Sequence, residues 1–149
     1  GVIFYIDATG QHGLVCAVIE LEPTQWGCVG TVITGADDRT VGAGPQNTLD
    51  ILAGCATEGI AADVCNNLSL NGYDDWFLPS FDELTQIYEN KNIINTTSLS
   101  NNGTLLKEEH YWSSTEYNST GGLAKDFNDG GESAYRKDLN NNIRAVRAF

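Results

Sequence analysis

The chain has 149 residues and a formal net charge of −12 at pH 7, from 20 acidic and 8 basic side chains. This surplus of negative charge argues against nucleic acid, sulfated polyanions and anionic membrane surfaces as partners, because binding them requires clustered cations. No apolar run reaches the roughly 20 residues that insertion into a membrane needs. The missing methionine predicts a matured or excised single domain (1–149), and the four cysteines predict that it is secreted.

Two strands are predicted at the N-terminus. Val2 to Ile6 is continuously apolar and rich in β-formers, which is typical of a strand covered on both faces. A second strand is predicted from Leu14 to Glu20. Residues 21–46 are rich in glycine and turn formers, so we expect an irregular segment that Trp26 and Cys28 anchor.

A helical pattern starts at Asn47 or Thr48 and continues to Cys65. Gly54 and Gly59 weaken it, because glycine loses more conformational freedom in a helix than other residues do. The pattern therefore predicts either one helix or two short helices that end near Cys65.

The clearest boundary in the chain follows the short apolar run from Trp76 to Leu78. Pro79 ends that run, because proline has no N–H for a sheet ladder. A helix is predicted to begin next, with Ser80 as the capping residue and Glu83 three positions later completing a capping box.

Residues 90–109 are polar and rich in asparagine, which predicts a long excursion rather than a packed element. Four short strand candidates separated by turn clusters follow: His110 to Thr115, Leu123 to Phe127, Ala134 to Lys137, and Ile143 to Phe149. The order of elements predicts an α+β fold with two to three helices packed on a small antiparallel sheet.

Four cysteines allow three disulfide pairings. If residues 48–65 form one helix, Cys55 and Cys65 lie about 15 Å apart along its axis, which is too far for a bridge. Cys28–Cys55 with Cys16–Cys65 is then the favoured pairing. A break at Gly59 would instead let Cys55 meet Cys65 and leave Cys16 to pair with Cys28.

The segment between Tyr111 and Asn142 is predicted to carry the ligand surface. Binding surfaces favour rigid aromatic side chains among small polar ones, and this segment has that composition. The candidate ligand residues are Trp112, Tyr117, Asn128 and Tyr135. Trp112 fits the core equally well, because its strand must bury one face.

The same segment contains a candidate calcium site in a glycine-rich loop. Asp126, Asn128, Asp129 and Glu132 offer carboxylate and amide oxygens, the hard ligands that calcium takes. Their spacing differs from that of an EF-hand loop. Calcium is the one cofactor that the sequence suggests.

Three motifs occur together and are specific in combination: Trp-Phe-Leu-Pro-Ser-Phe-Asp-Glu-Leu at 76–84, Tyr-Trp-Ser-Ser-Thr-Glu at 111–116, and Arg-Ala-Val-Arg-Ala-Phe at 144–149. With them the chain resembles the Lcl C-terminal domain family, which is named after a bacterial collagen-like adhesin. The resemblance implies a C-type-lectin-like fold with a loop-rich half that displays the binding surface. It also implies that the terminal strands pair, and the apolar character of Val2 to Ile6 and Ile143 to Phe149 agrees.

Members of this family are mostly secreted or cell-surface modules of bacteria, and some cap collagen-like stalks that trimerise. The resemblance thus implies an extracellular adhesion module that binds a glycan or a protein. The alternative is an oligomerisation cap, for instance a homotrimer. One class of members binds sulfated glycosaminoglycans through a basic surface, which eight Lys and Arg in an acidic chain do not supply.

An enzyme is not expected. Leu78-Pro79-Ser80 resembles a helix start of the formylglycine-generating proteins, but their copper chemistry requires two thiolates late in the chain. Here all four cysteines precede residue 66. Ser113 and Ser114 lie near His110 in sequence, yet no Gly-x-Ser-x-Gly elbow presents either hydroxyl as a nucleophile.

Overall fold

The computed structural model describes all of residues 1–149 and has an α+β architecture with four helices and two sheets. The strands are β1 (Val2–Ile6), β2 (Gly13–Cys16), β3 (Leu21–Gln25), β4 (His110–Glu116), β5 (Gly121–Asp126), β6 (Glu132–Arg136), β7 (Asn140–Ile143) and β8 (Val146–Ala148). The helices are α1 (Gly44–Gly54), α2 (Ala61–Asn66), α3 (Phe81–Glu89) and α4 (Lys91–Ser100). No helix is both long and apolar enough to cross a bilayer.

The smaller sheet has the strand order β1-β2-β8, so the prediction that the N- and C-terminal strands pair is wrong. β1 and β2 form an antiparallel hairpin across a short loop, and this local pairing occupies one edge of β2. The C-terminal strand therefore pairs with the other edge of β2, where Gly13 and Phe149 exchange backbone hydrogen bonds of 3.0 and 3.1 Å.

The larger sheet has the strand order β3-β7-β4-β5-β6. Its β4-β5-β6 part is the predicted antiparallel meander, whereas β7 lies parallel to β4. The predicted strand from Ile143 to Phe149 is interrupted at Arg144 and Ala145. Ile143 belongs to β7 in the larger sheet, whereas β8 belongs to the smaller sheet. β3 forms inside the segment predicted to be irregular, because it finds a partner in β7.

The helical pattern before Cys65 consists of two helices, the second of the two alternatives. α1 begins at Gly44 with Pro45 in its first turn, where a missing N–H costs nothing. Gly59, at φ +73°, lies between the two helices in a conformation that favours glycine. The predicted start at Asn47 or Thr48 is late, since both residues are buried within the helix.

α3 begins as predicted. The Ser80 hydroxyl accepts a hydrogen bond of 3.3 Å from the Glu83 N–H, and the Glu83 carboxylate accepts one of 2.8 Å from the Ser80 N–H. Residues 91–100 form α4, so the predicted long excursion over residues 90–109 is wrong for this part of the chain. Only Ile94 and Ser98 of α4 are buried, so a narrow face of the helix packs against β1 and α3. The Asn-rich composition did not indicate this helix.

β4 separates two hydrophobic clusters. Trp112 lies with Trp26 and the buried faces of α1 and α2, whereas its neighbour Tyr111 lies with Phe127, the smaller sheet, α3 and α4. Successive side chains of a strand point to opposite faces, so one strand contributes to both clusters. β4 is therefore packed against a hydrophobic cluster on each of its two faces.

The predicted Cys28–Cys55 disulfide is present, with Cα atoms 5.8 Å apart. The predicted Cys16–Cys65 bridge is wrong, because both residues are buried free thiols. Cys16 belongs to the cluster around the smaller sheet and Cys65 to the cluster around α2, so they are not in contact. Burial raises the pKa of both thiols, that of Cys16 to about 12.

Candidate functional site

Two of the candidate ligand residues are partly or fully enclosed. Trp112 is completely buried, and its indole N–H donates a hydrogen bond of 2.9 Å to the carbonyl of Thr24, so it belongs to the core. Tyr135 packs edge-on against Trp112 and shares a hydrogen bond of 2.7 Å with Nε2 of His110. The Trp112 side chain is therefore closed to a ligand, whereas Tyr135 is half-buried.

The other two candidates are exposed, but they lie at opposite ends of β5. Tyr117 follows β4 in the turn that leads to β5, and 63% of its surface is accessible. Asn128 lies in the turn after β5, where its N–H donates to the carboxylate of Asp126. The structure thus does not bring the four predicted residues together.

The candidate calcium ligands are engaged in local contacts. Asp126 and Asp129 each accept a hydrogen bond of 2.8 Å from the backbone N–H two residues further on. The carboxylate of Glu132 accepts a hydrogen bond of 2.8 Å from Arg39. No three His, Cys, Asp or Glu side chains gather in a group that could hold a metal ion, so these carboxylates brace turns rather than converge.

The serine and histidine side chains near the start of β4 do not form a nucleophile–base pair. Ser113 and Ser114 are buried, and the hydroxyl of Ser113 donates to the carbonyl of Leu123. His110 uses Nε2 for Tyr135 instead.

An exposed surface forms where the loop 27–33 meets the turn 117–120, and we call it the loop face. The N–H of Gly30 donates a hydrogen bond of 2.7 Å to the carbonyl of Ser119 and so joins the two segments. The loop face carries exposed apolar side chains: Val29, Val32 and Tyr117. Around them lie small polar residues, which is the composition that recognition surfaces favour.

A disulfide and buried polar contacts hold the backbone of the loop face. The disulfide fixes the loop at Cys28. The buried ammonium of Lys137 donates a hydrogen bond of 2.8 Å to the carbonyl of Thr31 and forms a salt bridge with Glu116. Glu116 also accepts a hydrogen bond of 2.9 Å from the N–H of Ile33.

Sequence patterns did not single out Lys137 and Glu116. Both are charged residues at strand ends, where solvent exposure is the usual expectation. One signal is present in the sequence, since Lys137 is one of only 8 Lys and Arg residues in an acidic chain. In the structure its ammonium lies 4.5 Å from the centre of the Trp26 ring, a cation–π contact that only the fold creates.

Comparison with protein families gives a match to the Lcl C-terminal domain over residues 34–147. Among solved structures, a fimbrial protein from Bacteroides ovatus superposes with a TM-score of 0.61 at 16% sequence identity. The superposition covers 90% of this chain and 35% of the fimbrial protein, so the chain spans about a third of that structure. No curated protein sequence matches the chain significantly. Because the family match covers most of its length, the chain belongs to the Lcl C-terminal domain family.

Proposed function

We propose that residues 1–149 are one non-catalytic, extracellular adhesion-type module of a bacterial surface or secreted protein, with a C-type-lectin-like fold. Family membership and the fold shared with a fimbrial protein support this proposal. The Cys28–Cys55 disulfide adds support, because disulfides persist in oxidising compartments outside the cytosol.

The module recognises a glycan or protein ligand through the segment 111–142, and the loop face is the contact surface. One observation carries this assignment: Tyr117, which is 63% exposed, directly follows Glu116 of the buried salt bridge, and a hydrogen bond joins its turn to the loop that the disulfide fixes. A preorganised aromatic side chain loses little entropy on binding, so such residues dominate interface energies.

The test compares Tyr117→Ala with the wild type in binding to a glycan array and to a panel of immobilised extracellular-matrix proteins. For any array or matrix ligand that the wild type binds and that an excess of free monosaccharide does not displace, we expect Tyr117→Ala to weaken binding at least about tenfold, as loss of a central aromatic contact does. Ile93→Ala is the matched control, because it removes an equally exposed apolar side chain from α4.

Two results would contradict the proposal. One is unchanged binding by Tyr117→Ala, which would place the contact surface elsewhere. The other is an equal loss in Tyr117→Ala and Ile93→Ala, which would reflect non-specific apolar adhesion. Circular dichroism of each variant checks that the fold is retained.

The alternative function, an assembly module such as a homotrimer, has its own supporting observation. β1 pairs only with β2, so its other edge has no strand partner, and only the amide of Asn90 contacts a carbonyl there, that of Phe4. Ile3 and Ile6 of β1 are more than half exposed. Open apolar edges are ready to pair with another chain. Light scattering tests this function: an oligomer that Ile3→Lys converts to a monomer favours it, and a wild type that is monomeric at every concentration excludes it.

A further inference from the structure

A polar pocket lies between β3, β7 and the start of β4, away from the loop face. It encloses about 310 Å³, within the lower range of small-ligand sites. The pocket is lined by Pro23, Glu109, His110, Asn140, Asn141 and Asn142. All of these side chains except that of Pro23 carry hydrogen-bonding groups, and neither Lys nor Arg lines the pocket.

One wall of the pocket is fixed by the buried amide of Asn142. Its oxygen accepts a hydrogen bond of 3.0 Å from the ammonium of Lys107, and its nitrogen donates one of 2.8 Å to Oε2 of Glu109. This contact orients the Glu109 carboxylate and leaves Oε1 free to accept another hydrogen bond. The wall is thus preorganised before any ligand arrives.

The histidine at the pocket is also held in place. Nε2 of His110 shares its hydrogen bond with the hydroxyl of Tyr135, so the ring orientation is set. Nε2 also lies 3.5 Å from the carboxylate of Asp126, whereas Nδ1 forms no hydrogen bond within the protein. The imidazole therefore has one nitrogen without a protein partner.

The adjacent amides of β7 have unused hydrogen-bonding capacity. The side chain of Asn140 forms no hydrogen bond within the protein, and the amide nitrogen of Asn141 is buried without a partner. The Asn141 nitrogen has almost no accessible surface, so a ligand in the pocket does not reach it, whereas the side chain of Asn140 is exposed. The Asn140 amide, the Glu109 carboxylate and the His110 imidazole thus line one small pocket with unfilled donors and acceptors.

We propose that this pocket binds a neutral saccharide unit directly, without a bridging metal ion. Sugar hydroxyls both donate and accept, which matches alternating amide and carboxylate groups. The Glu109 carboxylate forms strong charge-assisted bonds with hydroxyls and repels sulfated or phosphorylated sugars. Pro23 offers an apolar surface for the C–H face of a pyranose ring. The site needs neither Tyr117 nor the loop face, so it goes beyond the function proposed above.

The test is calorimetric titration of the whole chain with glucose, galactose, mannose and N-acetylglucosamine, each with and without EDTA. At least one of these sugars is expected to bind with a Kd of about 0.1–10 mM, as a small, shallow polar site allows. N-acetylglucosamine 6-sulfate serves as the anionic counterpart and is expected to bind more weakly than the unsulfated sugar.

Two pocket variants locate the binding. Glu109→Gln keeps the shape of the wall and removes the charge, and we expect it to weaken sugar binding about tenfold. Asn140→Ala, on an exposed side chain, is expected to weaken binding about fivefold. Asn92→Ala is the control, since it removes an exposed amide from α4, and it leaves binding unchanged.

The proposal is overturned by any of four results. These are the absence of saturable binding by all four sugars, loss of binding in EDTA, preference for the sulfated sugar, and unchanged affinity in the two pocket variants. Asn140→Ala keeps the test decisive if Glu109→Gln folds poorly. Tyr117→Ala retains sugar binding, so failure of this proposal and failure of the loop-face function give different results.

Discussion

The ammonium of Lys137 and the carboxylate of Glu116 form a salt bridge from which solvent is excluded, with side chains 0% and 5% exposed. Lys137 follows β6, and Glu116 ends β4. Their remaining bonds reach the carbonyl of Thr31 and the N–H of Ile33. A single ion pair thus ties the sheet to the loop 27–33.

Removing one partner of this pair is expected to be costly. Lys137→Met leaves the Glu116 carboxylate buried and unpaired, which lowers the free energy of unfolding by about 3–5 kcal/mol. Urea denaturation measures the loss. The double variant Lys137→Met/Glu116→Gln removes both charges and should recover part of the stability, and a single-variant loss below about 1 kcal/mol would show that the pair behaves like an exposed one.

The Cys28–Cys55 disulfide is expected to stabilise the fold chiefly by constraining the unfolded chain. Its cysteines are 27 residues apart in sequence, and closing a loop of that size contributes about 3–4 kcal/mol in the chain-entropy model. Thermal melting with and without dithiothreitol measures this contribution. The reductant should not affect Cys28→Ser/Cys55→Ser, and equal melting of reduced and oxidised wild type would contradict the prediction.

The capping box of α3 gives a third prediction. The hydroxyl of Ser80 accepts from the Glu83 N–H and donates a hydrogen bond of 2.8 Å to the carbonyl of Thr40. Ser80→Ala loses both contacts, and we expect a loss of about 1–2 kcal/mol by urea denaturation. Thr85→Ala in the same helix is the control, because alanine favours the helix and offsets part of the lost contact. An equal loss in both variants would show that the cap has no special role.

The start of α3, which the sequence predicted well, depends on neighbours in the chain. Ser80 and Glu83 are three residues apart, and the signals for the cap need no distant partner. The partner of β1 depends instead on a competition between the adjacent β2 and the distant C-terminal strand, and β1 pairs with β2. α4 was missed for a similar reason, since the burial of Ile94 and Ser98 comes from tertiary contacts.

The candidate sites show the same limit. The exposure of Tyr117 follows from its position beside a turn cluster, so sequence sufficed to propose it. The polar pocket combines Pro23, Glu109–His110 and Asn140–Asn142 from three separate segments. The parallel contact between β4 and β7 brings the last two together, and no local pattern predicts that contact.

The last prediction concerns pH and the carboxyl group of Glu20. Its carboxylate lies 3.7 Å from the guanidinium of Arg144, and neither oxygen accepts a hydrogen bond. Burial is the largest cause and raises the pKa of Glu20 above the ordinary value of 4.5. Tyr111, Arg144 and Lys107 lower this pKa, and the negative charge of Glu109 raises it slightly. The folded protein therefore holds this proton more tightly than the unfolded chain does.

The sign of the pH dependence follows from that difference. The contribution of Glu20 to stability is greatest below pH 4.5 and falls as the pH rises through the folded-state pKa. Glu20→Gln removes the titration, so its free energy of unfolding relative to the wild type should increase from about pH 4 to neutral pH. Urea denaturation at several pH values measures the change, and a difference that stays flat or decreases would contradict it.

Asp75→Asn is the matched control with the opposite sign. The guanidinium of Arg147 donates hydrogen bonds of 2.7 and 2.8 Å to Asp75 and lowers the pKa of its carboxyl group from 3.8. Stability from this pair is present above pH 3.8 and is lost as the pH falls through the folded-state pKa. The deficit of Asp75→Asn relative to the wild type should thus be largest at neutral pH and disappear in acid. Opposite slopes in the two variants would separate the effect of burying Glu20 from the general effect of removing a negative charge from an acidic protein.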